Sequence, residues 1–248
     1  MAISGSFPPR PTPLSGPTGN YGEIRRAEEV ERRGTVRIFN VNARAGIPRV
    51  FGPLSGWLLR RGVSPDTVTI VGTVGVLVGA IGFGARGQLV IATVIVTLSA
   101  FTDLIDGTMA RMSGRRGKFG AFLDSTMDRV ADGAIFGAVA YWLAGQHRWS
   151  GEVAALICLT TGQIVSYARA RAEGLGMTAT VGVAERAERL IIIGLGGLLG
   201  ELVWRYALDV ALWVLAVLSV ITIAQRVVTV YRQDQAAVAA DAPTQVHR

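Results

Sequence analysis

The chain has 248 residues, of which 50% are hydrophobic and only 17% charged, with a formal net charge of +7. A positive mean hydropathy with so few charges excludes an ordinary soluble domain and points to a polytopic membrane protein. The single cysteine, Cys158, excludes an internal disulfide and a cysteine-based metal cluster. The basic excess lacks interleaved aromatics, so its expected partners are anionic membrane lipids and not nucleic acid.

In chain order, "SGSFPPRPTPLSGPTGN" and "EIRRAEEVERRG" come first. Neither offers a core, and neither has the order of a signal peptide, so residues 1–35 are expected to form a disordered cytosolic N-terminal tail. Phe51, Leu54, Leu58 and Leu59 follow at helical spacing, beside Trp57, Arg60 and Arg61. That pattern predicts an amphipathic juxtamembrane helix on the cytosolic membrane surface. "SPD" reads as a helix start, with Ser64 as N-cap and Pro65 at the first position.

Six uncharged apolar stretches come next: 67–85, 87–102, 133–146, 153–168, 190–200 and 210–225. Several fall short of the ~20 residues needed to span, so polar helix ends must extend them. Glycines inside these runs, Gly75 with Gly79 and Gly133 with Gly137, form GxxxG patterns suited to close helix approach. Buried in such a run, Cys158 reads as a small hydrophobe. Alternating sides places Arg60, Arg61, Arg111, Arg115, Arg116, Lys118, Arg169, Arg171, Arg186, Arg189, Arg226 and Arg232 together. Only Arg86, Arg148 and Arg205 remain opposite. The expected fold is therefore all-α, with six transmembrane helices and both termini cytosolic. One membrane domain, 36–232, would precede a flexible C-terminal tail, 233–248.

Four aspartates interrupt this apolar pattern. Asp103 and Asp106 are three residues apart and Asp124 and Asp128 four apart, so each pair shares one helix face. Both pairs stand at the expected cytosolic ends of consecutive antiparallel helices and can converge on one point. Each unpaired carboxylate at membrane depth would cost roughly 2.5–3.5 kcal/mol. Divalent cations are the physical remedy: oxygen-only ligands favour Mg²⁺, with Mn²⁺ possible, and four carboxylates can hold two ions. Gly107 and Ala110 leave the neighbouring helix surface bare, and Arg111 supplies a forked donor for phosphate oxygens. Gly120 removes another side chain one turn before Asp124. An arginine beside a cation path would be counterproductive, which argues against a Mg²⁺ transporter; a structural membrane scaffold would have no use for the aspartates.

The spacing D-x2-D-G-x2-A-R-x8-G-x3-D-x3-D, carried by Asp103, Asp106, Gly107, Ala110, Arg111, Gly120, Asp124 and Asp128, resembles the signature of the CDP-alcohol phosphotransferase family. The resemblance implies a six-helix membrane enzyme, commonly a homodimer, that moves a phosphatidyl group from CDP-diacylglycerol to an alcohol and releases CMP. It implies that the four aspartates bind two metal ions and that Asp128 is the proton acceptor. Gly107 and Arg111 would contact the CDP moiety, beside Ala110. Asp66, Thr67, Val68 and Thr69 are similar to the family segment that lines the nucleotide site. At Gly117, where relatives often carry a hydroxyl, only backbone is left for that contact.

Arg169 and Arg171 close the fourth stretch, Arg186 and Arg189 open the fifth, and Arg226 ends the sixth. Each alone is a positive-inside anchor paired with Glu173, Glu185 or Glu188; together they suggest a pocket for a second phosphate-bearing substrate. "SYARARAE", "ERAERL" and "DSTMDRVADGAIF" resemble the actinobacterial phosphatidylinositol phosphate synthases of the family over roughly residues 40–232. That resemblance implies 1D-myo-inositol 3-phosphate as acceptor and Arg169, Arg171, Arg189 and Arg226 as its phosphate ligands. Glycerol 3-phosphate, giving phosphatidylglycerophosphate, is the alternative within the family. Asp132, one turn beyond Asp128, reads as a buried hydrogen-bonding partner.

Overall fold

The structure is a computed structural model describing residues 42–114 and 118–241, with side chains from 50 to 239. Of the first unit, Met1–Gly46, only the opening of one helix is described, and the account below concerns the second, Ile47–Arg248. The expected tail 1–35 lies outside the described residues, as do Arg115, Arg116 and Gly117.

All described elements are helical, in the order α1 (Asn42–Arg60), α2 (Pro65–Leu77), α3 (Leu89–Ala100), α4 (Thr102–Met112), α5 (Lys118–Gly145), α6 (Trp149–Gly174), α7 (Arg186–Leu202) and α8 (Ala207–Asp241). The start of α2 forms as the sequence dictates. Ser64 is extended and its Oγ accepts from the Thr67 amide at 3.1 Å, while Pro65 occupies the first turn, where its missing N–H costs nothing. The helix then loosens into a π turn, Val78–Phe83, and tightens into a 3₁₀ turn, Gly84–Arg86. It stops at Gly87, whose φ of 78° suits glycine and which packs against the Trp142 indole.

Small residues set the packing of α2 on α3 and α4. A Cβ at Gly72 would collide with the Thr102 hydroxyl, one at Gly75 with the Ser99 hydroxyl, and one at Gly79 with Ile95. The Gly75–Gly79 pattern is thus a close-approach stripe, as its spacing predicts. Gly133 and Gly137 differ: a Cβ at either meets nothing within 4 Å, so this second GxxxG makes no close approach within the chain.

The core lies where α5, α6, α7 and α8 meet, filled by Phe136, Leu143, Cys158, Leu208, Leu212 and Leu215. Cys158 is buried there and its thiol donates to the Leu212 carbonyl at 3.2 Å, in keeping with a small core residue. At the surface, Glu201, near the end of α7, accepts from the Val90 amide at 2.7 Å and so caps the start of α3.

Among the described residues, four helical stretches are long and apolar enough to cross a membrane: Pro65–Arg86, Leu89–Met112, Trp149–Gly174 and Ala207–Ala239. Of the remaining two candidates, α7 has 17 residues and α5 has 28 but carries aspartates through its first turns. The helix α1 is present over the expected amphipathic segment. Its buried residues are Ser55 and Gly56, while Leu54 and Trp57 are exposed. Small residues therefore face the bundle, because they let α1 lie close on α4: Ser55 Oγ donates to the Ile105 carbonyl at 3.3 Å, and Phe51 stacks on Phe101. At the other end, α8 continues as helix to Asp241, through nine residues of the segment read as a tail from 233; its side chains there are largely exposed.

Candidate active site

The two aspartate pairs arrive from different helices. Phe101 alone separates α3 from α4, its backbone still right-handed, and Thr102 turns its hydroxyl back to the Ser99 carbonyl at 2.5 Å. The short helix α4 then carries Asp103 and Asp106, and the first turns of α5 carry Asp124 and Asp128. Asp106 lies within electrostatic range of Asp103 and Asp124, and Asp128 within range of Asp124 and Asp103. The four carboxylates thus share one region. Their surroundings differ: Asp106 is buried, Asp103 and Asp128 are half-buried, and Asp124 is exposed.

The beginning of α2 completes this face. Thr69, buried, donates its hydroxyl to Asp106 Oδ2 at 2.5 Å and thereby fixes the most enclosed carboxylate. Asp66 lies against Gly120, where an added Cβ would stand 3.4 Å from Asp66 Oδ1. Thr67 is engaged in the helix cap with Ser64, and Val68 follows it half-buried. Across the cluster, the Arg111 guanidinium lies over Gly107, 3.7 Å from the position of a would-be Cβ, and donates to Thr108 Oγ1 at 2.9 Å. Ala110 is half-buried beside it and Arg111 itself is exposed. A bare helix surface with a forked cation above it can admit a phosphate group.

Three arginines and a fifth aspartate form a second layer, and the motif alone did not reveal it. Arg186, at the start of α7, contacts Asp103 Oδ2 closely, lies 2.7 Å from Asp128 Oδ1 and 3.9 Å from Asp132 Oδ1. Arg129 stands 3.6 Å from Asp132 and 3.9 Å from Asp128. Arg189, only 2% exposed, donates to Asp132 Oδ2 at 2.8 Å. Asp132 is buried among them, in agreement with its reading as a hydrogen-bonding partner. The signal for Arg186 was its place three residues before Arg189 in "ERAER", but sequence could not say that it reaches across to α4 and α5.

The four arginines expected around an acceptor phosphate are held differently. Arg169 is exposed and pairs with Glu173 at 2.9 Å, and Arg171 is exposed near the end of α6. Arg189 is buried on Asp132, and its guanidinium fits only because Gly162 lacks a Cβ. Arg226 is buried and donates to the carbonyls of Val181 at 2.9 Å and Val165 at 2.5 Å, pinning the α6–α7 connection. Arg226 nevertheless lies within electrostatic range of Arg169, Arg189, Glu173 and Glu185. These charges share a region, but much of their donor capacity is committed to the protein.

Whether a divalent ion suits the aspartates rests on their chemistry. The donors are all hard carboxylate oxygens, which match Mg²⁺ or Mn²⁺. Among the described residues, no group of three His, Cys, Asp or Glu side chains is arranged to hold an ion. The space between Asp103 and Asp128 is taken by the Arg186 guanidinium, a cation standing in for the charge those oxygens require. The donor set fits a divalent ion, with that guanidinium as its rival.

Beside Asp103 and Arg186 opens a cavity of about 680 Å³. Its walls are apolar, from Val96, Leu104, Val139, Leu190, Ile193 and Leu198 among others, and it runs between α3, α5 and α7. A charged mouth leading into an apolar chamber suits an amphiphile.

Comparison with known proteins shows the family. The family model for CDP-alcohol phosphatidyltransferases matches residues 63–223. The chain belongs to this family. A phosphatidylinositol phosphate synthase of Streptomyces avermitilis is 48% identical over 217 residues, covering 83% of this chain and 87% of that one. The Mycobacterium marinum protein of the same name is 44% identical over 193 residues, covering 76% and 82%. Among solved structures, the Mycobacterium tuberculosis phosphatidylinositol phosphate synthase with CDP-DAG bound is 40% identical with a TM-score of 0.71, covering 81% of this chain and 98% of that one. The same enzyme in complex with manganese and citrate gives a TM-score of 0.69 at 40% identity, covering 79% and 91%. As a member of the family the protein is a membrane phosphatidyltransferase.

Proposed function

We propose that the protein transfers the phosphatidyl group of CDP-diacylglycerol to 1D-myo-inositol 3-phosphate, giving phosphatidylinositol phosphate and CMP. The observation that carries this reading is the grouping of four aspartates from α4 and α5, of which Asp103, with Arg186, lines the mouth of an apolar cavity. The mouth suits a diphosphate and the chamber an acyl chain of the same lipid. The inositol phosphate acceptor is favoured by the names of the relatives described above and by the shared region of Arg169, Arg189 and Arg226, with Arg171 assigned to the same pocket.

Asp103, Asp106, Asp124 and Asp128 hold two divalent ions, Mg²⁺ or Mn²⁺, in this reading; bound there, such ions offset the carboxylate repulsion and the charge of the diphosphate. Thr69 keeps Asp106 in place. Arg111, with Gly107, Ala110 and the segment Asp66, Thr67, Val68 and Thr69, lines the place of the CDP moiety; Gly117, assigned to the same subsite, lies outside the described residues. Asp128 takes the proton from the acceptor hydroxyl, whose oxygen attacks the β-phosphorus in line as the bond to the CMP oxygen breaks. A carboxylate of reference pKa ~3.9 is a weak base for an alcohol, so positioning supplies most of the effect.

The four apolar helices are joined by α5 and α7 as further spans, making six, in the cell membrane. The arginine-rich connections and the active site face the cytosol, α1 lies on that membrane surface, and the enzyme works as a homodimer. A single assay tests the function: purified protein with CDP-diacylglycerol, Mg²⁺ and either inositol 3-phosphate or glycerol 3-phosphate, with CMP monitored. CMP is expected with inositol phosphate. Release with glycerol phosphate instead would assign phosphatidylglycerophosphate synthesis, and none with either would overturn the reading.

A further inference from the structure

Arg186 occupies a position that arginine ordinarily avoids. It is the first residue of α7, at the positive end of the helix dipole, where a cation is unfavourable. What holds it there is acid: its side chain is 24% exposed and reaches Asp103, Asp128 and Asp132, from two other helices. A guanidinium does not lose its proton in this setting, so it can leave these partners only by moving. Its Nε is buried without a hydrogen-bond partner and stands 3.9 Å from Asp132 Oδ1. Asp132 is itself anchored by Arg189 at 2.8 Å. Arg186 therefore has two seats in reach, one on Asp103 and Asp128 and another on Asp132.

We propose that Arg186 is a built-in counter-cation that competes with divalent ions for Asp103 and Asp128, holding these carboxylates together in the metal-free protein and withdrawing toward Asp132 when ions bind. The inference rests on the reading that the four aspartates bind divalent cations. The same oxygens cannot serve the guanidinium and an ion at full strength, and a guanidinium left beside two divalent ions would be repelled. Withdrawn to Asp132, it stays at the mouth of the cavity, where its fork can meet an incoming phosphate.

The test uses the full chain in lipid nanodiscs with Mn²⁺ as the only added ligand, free Mn²⁺ being read by electron paramagnetic resonance. The wild type is expected to bind Mn²⁺, and Asp106→Asn to bind it more weakly. Arg186→Gln should bind about tenfold tighter than wild type, within the usual range of coupling between groups that share a site. In EDTA the same variant should melt below wild type, and saturating Mn²⁺ should close the gap. Equal or weaker Mn²⁺ binding by Arg186→Gln overturns the proposal while leaving the metal site standing. No Mn²⁺ binding by the wild type, or binding by Asp106→Asn as tight as the wild type's, brings down both. Where Arg186→Gln does not fold without metal, Arg186→Lys carries the measurement. It keeps the charge but loses the fork that bridges two carboxylates, so a smaller gain in affinity is expected and an unchanged affinity refutes competition.

Discussion

Each end of α5 buries arginine against aspartate, on opposite terms. Beyond its C-terminal end, Arg148 pairs closely with Asp209 of α8, the two side chains being 9% and 14% exposed. One cation meets one anion. The guanidinium also donates to the Arg205 carbonyl at 2.5 Å, lies over the Trp142 and Tyr206 rings, and leaves Asp209 room because Gly151 has no Cβ. At its N-terminal end, Asp103, Asp106, Asp124 and Asp128 outnumber the cations that reach them among the described residues, Arg186 and Arg129, and those cations are shared with Asp132. A closed one-to-one pair fastens two connections of the bundle. An open excess of acid is costly for folding and useful only if something cationic arrives.

Removing one charge from each end should separate these roles most sharply. Asp128→Asn is expected to lower CMP release by about 10²–10⁴-fold, as loss of a general base does, with the thermal midpoint near wild type. Normal turnover would sink the assignment of Asp128. Arg148→Ala should do the reverse, costing about 3 kcal/mol through the stranded Asp209 carboxylate while the surviving folded protein stays active. Calorimetry and CMP release on the same sample decide it, and unchanged stability would show the pair to be dispensable.

Smaller changes refine the contrast. Thr69→Val removes the hydroxyl from the buried Asp106 carboxylate; a stability loss of about 1–2 kcal/mol is expected, with weaker Mn²⁺ binding. Weaker metal binding without any effect on stability would still place Thr69 at the site, whereas no change in either would remove it. Gly162→Ala would push the Arg189 guanidinium off its place. Its expected signature is a raised KM for the acceptor with an unaltered KM for CDP-diacylglycerol, in steady-state kinetics. Last, Gly133→Ala meets open space and should leave stability unchanged or raise it by up to about 1 kcal/mol through helix propensity. A clear loss in melting temperature would mean that this face is packed against a partner.

Much of the site was legible before any coordinates. Helical periodicity puts Asp103 with Asp106 and Asp124 with Asp128 on common faces whatever the tertiary packing, and Ser64-Pro65 announces the start of α2 through purely local chemistry. The Gly75–Gly79 stripe was equally readable, whereas Gly133–Gly137 shows the same letters with no neighbour within the chain. Spacing records that a helix face is bare; it does not record what stands opposite. The arginines proposed for the acceptor illustrate the same limit, since Arg226 spends donors on the Val165 and Val181 carbonyls and Arg169 faces Glu173.

What the sequence determined by itself, then, was everything governed by short-range geometry and by solvation: apolar helices, charge on one set of connections, a cap, and two acidic faces awaiting cations. Tertiary structure decided which cation those faces hold in the chain alone. Arg186 lies 83 positions from Asp103, and only the packing of α7 on α3 and α8 lets its long side chain reach across to the carboxylates of α4 and α5. The physical reason is range: periodicity and hydrophobicity act over a few neighbouring residues, while an ion pair depends on distances that no local pattern encodes.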